Sequence, residues 1–445
     1  MTEGSGTATS SSRGVTRCLA VLLIALIGML PGCAAPHRED VTGDAPIAPP
    51  MGWNSWNSGI ALDEQSVRET VDAMVSSGMR DAGYRYVNLD AGWAAPTRGP
   101  DGRLRPDPTR FPNGMGALAQ YAHDRGLQFG LYASPFNQTC GQDPRMASAG
   151  HEERDAQTFA GWGVDYLKYD WCRADADHDD QIRVFTAMRK ALRASGRHVV
   201  YSINPNGVGD LTAGSRYDWS GIADAVRTTG DLVPLWRDVL PHSGPDDPFV
   251  TGFYRGVPAQ FEQAAGVPRR PAYRNDPDML VVGVRWADYF HDHLSTGMPA
   301  DFATIQPGLS DDEQRSHFSL WAMLSAPLLA GNDLRSMTPD TRAILTNREV
   351  IAVDQDPMLA VARSLGDGRV WAKSMADASV VVALFNSGDS AANLETSASS
   401  VGLPQAPCYT ERDLWQHTSS TTTGTIAAPA LAPHSVRLLR VSAVC

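Results

Sequence analysis

Two aspartates stand out by what precedes them. Asp170 closes DYLKYD (165–170) two residues after Lys168, and Asp231 closes RTTGD (227–231) four residues after Arg227. Alternate side chains of an extended strand share a face, so Lys168 is expected beside Asp170, lowering its pKa and keeping it ionised. An ionised carboxylate suits attack on an electrophilic carbon. Asp231 is expected to meet a partly desolvated pocket, which raises a carboxyl pKa and lets it protonate a leaving oxygen. One carboxylate of each kind is the equipment for cleaving a glycosidic bond. A separation of roughly 5–5.5 Å would mean retention through a covalent intermediate.

The same alternation collects further polar groups. In YVNLD (86–90), Val87 and Leu89 share one face while Asn88 and Asp90 share the other. Tyr132 faces the same way from FGLYA (129–133), Val200 and Ser202 lead to Asn204, and Arg227, Thr229 and Asp231 line up together. Trp53, Trp56, Trp93 and Tyr132 offer flat faces. An acidic and aromatic cup with one lysine and one arginine fits a polyhydroxylated, uncharged ligand.

Eight short apolar runs can position these groups: 51–56, 86–90, 129–133, 165–170, 198–203, 224–229, 278–283 (DMLVVG) and 327–331. Amphipathic stretches at 64–79, 114–126, 152–163 and 181–196 separate the early ones. Repeated strand-then-helix units predict an α/β fold, a parallel (β/α)8 TIM barrel with its site at the C-terminal ends of the strands. From about Leu359 the helical pattern stops. RVWAKSM, SVVVALFN, CYTERDLW and SVRLLRVSAV alternate between Ser, Thr and Gly turns, which predicts a C-terminal antiparallel β-sandwich. The expected domains are 1–45, 46–358 and 359–445.

The net charge of −12 over 445 residues includes no basic run, which argues against nucleic acid as a partner. Arg13 and Arg17 precede CLAVLLIALIGML (18–30), with the length and flanks of a signal-peptide core. LPGC resembles a bacterial lipoprotein cleavage site with Cys33 as the lipidated residue, so the chain is expected to be secreted or held outside the cell membrane through Cys33; ordinary cleavage near Ala35 is the alternative. The remaining cysteines, Cys140, Cys172, Cys408 and Cys445, suggest two disulfides. Cys140–Cys172 with Cys408–Cys445 is the simplest of three pairings.

PPMGWNSWN (49–57), YVNLD, FGLYA, VDYLKYDWC (164–172), RTTGD, NDPDML (275–280), HFSLWAMLSAPLLAGNDLR (317–335) and NREVIAVDQDP (347–357) resemble, in order, the motifs of the α-galactosidase (melibiase) family, glycoside hydrolase family 27. The resemblance implies a barrel followed by a β-sandwich and a retaining, exo-acting α-glycosidase. It implies Asp170 as nucleophile and Asp231 as acid/base. It further implies sugar contacts from Trp56, Asp90, Tyr132, Lys168, Arg227 and Asp278, a disulfide between Cys140 and Cys172, an oligosaccharide or polysaccharide substrate, and neither metal nor organic cofactor. No protein partner is implied.

Three departures bear on specificity. The family usually has Asp-Asp-Cys-Trp where this chain reads Asp90-Ala91-Gly92-Trp93, so Ala91 removes one carboxylate of a sugar-gripping pair. A charged hydrogen bond contributes roughly 1.5–3 kcal/mol, enough to alter preference by an order of magnitude. Asn204 stands where a glutamate is typical. The stretches from Asp231 to Asp278 and from Leu280 to His317 are long, and their Trp236, Phe253, Tyr254, Trp286, Tyr289 and Phe290 could stack on further sugars or anchor the loops. These changes keep an isomaltodextranase-like α-1,6-glucan hydrolase and a β-L-arabinopyranosidase open as alternatives. A non-hydrolytic glycan-binding protein is the alternative from another class. ADADHDD (174–180) lacks the glycine and glutamate of a calcium loop, and His291-Asp292-His293 lacks zinc-protease spacing.

Overall fold

The computed structural model describes residues 47–140, 144–171, 173, 177–207, 209–238, 254–294, 302–305 and 307–445. Eight parallel strands form one sheet: β1 (Met51–Asn54), β2 (Tyr86–Leu89), β3 (Gln128–Ala133), β4 (Tyr166–Asp170), β5 (Val200–Asn204), β6 (Ala225–Arg227), β7 (Arg274–Asp276) and β8 (Leu328–Ala330). Ladders join β8 to β1 and then each strand to the next as far as β7. The ring closes between Leu280 and β8, where Leu280 bridges Ala330 and donates its N–H to the Leu329 carbonyl at 2.7 Å. The chain is a (β/α)8 barrel followed by a β-sandwich.

The seventh strand differs from expectation. DMLVVG is expected to pair, yet the ladder holds Arg274–Asp276 and only Leu280 bridges to β8. Pro277 has no N–H to give a ladder, and Asp278 has φ +85°, which turns the chain out of an extended path. Inside the barrel, Asn88 crowds β3 so closely that a Cβ on Gly130 would lie 1.9 Å from its Oδ1. Outside, helix α1 (Glu64–Ser76) buries Val67, Val71 and Met74, one stripe at helical spacing, and Asp63 caps it by accepting the Ser66 N–H at 2.8 Å.

The sandwich begins at Arg363–Ser364 (β9) and continues with β10 (Val370–Ser374), β11 (Val380–Phe385), β12 (Ala392–Ser397), β13 (Tyr409–Asp413), β14 (Thr418–Thr422), β15 (Thr425–Leu431) and β16 (Val436–Ser442). One sheet has the order β9-β10-β11-β16-β13-β14, and β12 pairs with β15 in the other. The unbroken apolar run of β11 has a simple cause. Val381, Ala383 and Phe385 pack into the barrel-side core while Val380, Val382 and Leu384 face Leu394, Ile426 and Ala428 of the small sheet. A disulfide joins Cys408 to Cys445 with Cα atoms 5.7 Å apart. Cys140 is disulfide-bonded; Cys172, like Cys33, lies outside the described residues.

Lys373, on β10, is fully buried at the junction of barrel and sandwich. Its Nζ donates to the Ala322 carbonyl (2.8 Å), Ser325 Oγ (2.7 Å) and the Val353 carbonyl (2.7 Å). Burial pushes the Lys373 pKa down and that of its neighbour Asp354 up, their mutual attraction opposing both. Among the described residues no helix is long and apolar enough to cross a membrane.

Candidate active site

Parallel strands deliver their C-terminal ends to one side of a barrel, and here those ends surround a cavity of about 720 Å³. Trp56, Asp90, Ala91, Tyr132, Lys168, Asp170, Asn204, Arg227, Asp231 and Asp278 all line it. Strand register sets their neighbours: Tyr132 lies across from Lys168, Asp170 from Asn204, and Arg227 from Asp276.

Each cation holds its own set of carboxylates. Lys168 Nζ lies 2.8 Å from Asp90 Oδ2 and 3.7 Å from Asp170 Oδ2, above the Tyr132 ring at 5.4 Å. Asn54 Nδ2 donates to the same Asp90 oxygen at 2.8 Å, and the Ala91 N–H donates to Asp90 Oδ1 at 2.9 Å. On the other side, Arg227 Nη2 donates to Asp231 Oδ1 at 2.8 Å and to the Gly230 carbonyl at 2.7 Å, while Nη1 lies 3.1 Å from Asp278 Oδ1. Asp278 is locked in turn by the N–H groups of Leu232 (2.9 Å) and Met279 (2.8 Å). Asn206 and Gln260 hold the RTTGD backbone: Asn206 Nδ2 donates to the Arg227 and Thr229 carbonyls, and Gln260 Nε2 to the Gly230 and Pro277 carbonyls. Sites built this way keep their charged groups in place before a ligand arrives.

The protonation balance corrects one expectation. Burial lifts Asp170 to about 6; Lys168 and Arg227 oppose the rise, and the charges of Asp90 and Asp231 add to it. The adjacent lysine therefore does not hold Asp170 low, because desolvation outweighs one ion pair at 3.7 Å. Lys168 itself is raised: burial disfavours its charge, but Asp170 and Asp90 together win. Asp276, beneath the cavity, is also pushed by burial to about 6, and burial raises Asp278 against the pull of Arg227. Asp231 is the more open carboxylate, its side chain 34% exposed. Asp170 is therefore the more desolvated member of the pair, although only Asp231 is expected from the sequence to be partly desolvated.

Two of the expected aromatic faces are structural. Trp53 and Trp93 are 0% and 1% exposed and spend their indole N–H groups on the Asn332 and Tyr132 carbonyls. Strand register places Asn54 opposite inward-facing Asn88, so alternation should have selected Asn54 rather than Trp53. Trp56, 37% exposed, does face the cavity. Of the insertion aromatics, Trp236 anchors against His434 and Phe385, with ring centroids 4.8 and 5.9 Å away. Trp286 and Phe290 are buried, whereas Tyr254 and Tyr289 reach the cavity; Phe253 lies outside the described residues. Asp292 and His293 also line it, from an insertion in which no strand periodicity marks direction. Part of ADADHDD lies outside the described residues, but its Asp177 caps a helix by accepting the Asp180 N–H at 3.1 Å. Among the described residues no cluster of His, Cys, Asp and Glu is arranged to hold a metal ion.

A sequence profile described as alpha galactosidase A matches residues 48–356, and one described as alpha galactosidase C-terminal beta sandwich domain matches 366–441. An alpha-galactosidase of Cyamopsis tetragonoloba is 40% identical over 386 residues, covering 85% of this chain and 83% of that relative. The crystal structure of alpha-galactosidase I from Mortierella vinacea superposes with a TM-score of 0.76 at 32% identity, covering 92% of this chain and 100% of that one. An α-galactosidase from Saccharomyces cerevisiae, solved with raffinose, gives a TM-score of 0.70 at 26% identity, covering 88% and 97%.

Proposed function

The chain belongs to the α-galactosidase family, glycoside hydrolase family 27, and from that premise we propose that it is a retaining, exo-acting α-galactosidase with Asp170 as nucleophile and Asp231 as acid/base. The observation that carries this reading is the pairing of two carboxylates in one cavity, each beside its own fixed cation.

In the first step Asp170 attacks the anomeric carbon while Asp231 protonates the departing glycosidic oxygen. In the second, Asp231 takes a proton from water, which attacks the same carbon and frees Asp170. A carboxylate lifted to about 6 remains mostly ionised at neutral pH, and its poor solvation keeps it reactive. Asp231 starts partly exposed, and a sugar seated across the pocket places the glycosidic oxygen beside it while displacing water. Asp90 and Lys168 hold hydroxyls of the glycone, and Trp56 and Tyr132 form its apolar walls. Raffinose-type α-galactosides are the substrates in this reading.

Ala91 and Asn204 favour a second reading, in which the same machinery cleaves another glycone, α-1,6-glucans among them. Initial rates on p-nitrophenyl α-galactoside, α-N-acetylgalactosaminide, α-glucoside and β-L-arabinopyranoside, beside raffinose and dextran, decide between them. Turnover concentrated on α-galactosides supports the first reading, and turnover confined to another sugar supports the second. Residues 46–358 form the catalytic domain in this proposal, and 359–445 a domain that stabilises it. Export with a lipid on Cys33 completes it, tested by fatty-acid labelling that Cys33→Ser should abolish.

A further inference from the structure

The carboxylate lost at Ala91 has a candidate replacement in the long stretch that follows the seventh strand. Between Asp278 and the helix Asp311–Leu324, a short helix (Trp286–Tyr289) runs into a π-helical turn (Phe290–Leu294). Such turns are rare and frequent at functional sites. This one is firmly seated: Trp286, Tyr289, Phe290 and Leu294 are all buried, and Trp286 packs on both Tyr289 and Phe290. Two polar residues of the turn, Asp292 and His293, join the cavity wall.

His293 fixes the turn to the sugar platform. Its ring stacks on Trp56 with centroids 5.1 Å apart and planes 26° from parallel, and Tyr289 backs it at 4.7 Å. Burial lowers the His293 pKa, while Asp292, Asp231 and Asp90 all pull it the other way. One imidazole thus lies within the fields of the new carboxylate, the acid/base and the hydroxyl-binding aspartate. Asp292 is exposed and has neither a hydrogen bond nor an ion pair among the described residues. Its Oδ2 lies close over Gly59, where an added Cβ would stand 3.1 Å away and where φ is +65°. Glycine leaves room for that approach and adopts the conformation without strain.

We propose that Asp292 is a sugar-binding residue, the acceptor for a glycone hydroxyl in place of the carboxylate missing at Ala91, with His293 as the residue that positions it over Trp56. The inference rests on the proposed function and names the specificity element of that same site. It assigns the inserted turn to recognition rather than to chemistry, since the catalytic carboxylates come from the end of β4 and from the RTTGD segment that follows β6.

The test compares wild type, Asp292→Ala, Ala91→Asp and the double variant on the best p-nitrophenyl glycoside of the panel. Asp292→Ala should raise KM tenfold or more with kcat within about threefold, the signature of lost ground-state binding. Ala91→Asp in that background should recover most of the loss, because either carboxylate serves the hydroxyl. His293→Phe, which keeps the stack, should change KM little, whereas His293→Ala should mimic Asp292→Ala. A KM within twofold of wild type in Asp292→Ala, a loss confined to oligosaccharides, or no recovery in the double variant would overturn the inference while leaving the proposed function intact. A wild-type enzyme silent on every glycoside would refute the proposed function, and the inference with it.

Discussion

Replacing Asp170 by Asn should abolish turnover and yet make the protein more stable at neutral pH. The folded protein raises this carboxyl from 3.8 to about 6, chiefly by burial. At ~1.4 kcal/mol per pH unit, that rise corresponds to roughly 3 kcal/mol. The sign follows from where protons bind. Below about pH 3.8 both folded and unfolded chains hold the proton, and Asp170 has no effect. Between 3.8 and about 6 the unfolded chain releases it while the folded chain keeps it, so rising pH favours unfolding; above about 6 the full cost is present. Asparagine is a neutral isostere of the protonated form and escapes that cost. For a folded unit of ~400 residues, roughly 3 kcal/mol is a rise in Tm of about 3–4 °C. Thermal and urea unfolding of both proteins at pH 7 and pH 4 measures it: the difference should be full at pH 7 and nearly gone at pH 4. A variant no more stable than wild type at pH 7 would mean that the Lys168 and Arg227 attractions outweigh desolvation, and the account of this pocket's electrostatics would be wrong.

The remaining predictions concern rate, leaving group and the domain junction. Because Asp170 must be ionised to attack, kcat/KM of the free enzyme should fall to half near pH 6 and tenfold per unit below it, read from a pH–rate profile. Asp231→Ala should lower kcat/KM by about 10²–10⁴ on raffinose, but much less on a p-nitrophenyl glycoside, whose leaving group needs no proton; equal losses on both would remove Asp231 from the acid role. Lys373→Met leaves three buried acceptors without their donor and Asp354 without its cation. It should destabilise the protein by roughly 3–5 kcal/mol in urea unfolding, with KM for the substrate unchanged at a temperature where it stays folded.

Much of the cavity's lining is legible in the amino-acid sequence. Side-chain direction alternates along a strand, and parallel strands end on one side of a barrel, so period-two reading of 86–90, 129–133 and 165–170 selects the residues that meet in the cavity. That argument needs no knowledge of what lies between the strands. It selects Asp90, Tyr132, Lys168 and Asp170, and applied to 51–56 it selects Asn54 and rejects Trp53. The apolar run of β11 likewise announces a strand, although not that it is covered by the barrel on one face and by a second sheet on the other.

What the sequence decided, then, is which side chains share a face, because that follows from local geometry repeated every two residues. Tertiary structure alone decided their energies and their company. Asp170 has Lys168 two positions away in sequence, but its protonation depends on burial and on Arg227, Asp90 and Asp231, which arrive from other strands. Asp278 ends the seventh strand early because Pro277 and a left-handed φ deny it a ladder, which leaves closure of the barrel to Leu280. The turn that carries Asp292 and His293 has no periodicity to give it direction. Its approach to Trp56 is fixed by the burial of Trp286, Tyr289, Phe290 and Leu294, a packing choice made only when the whole chain has folded.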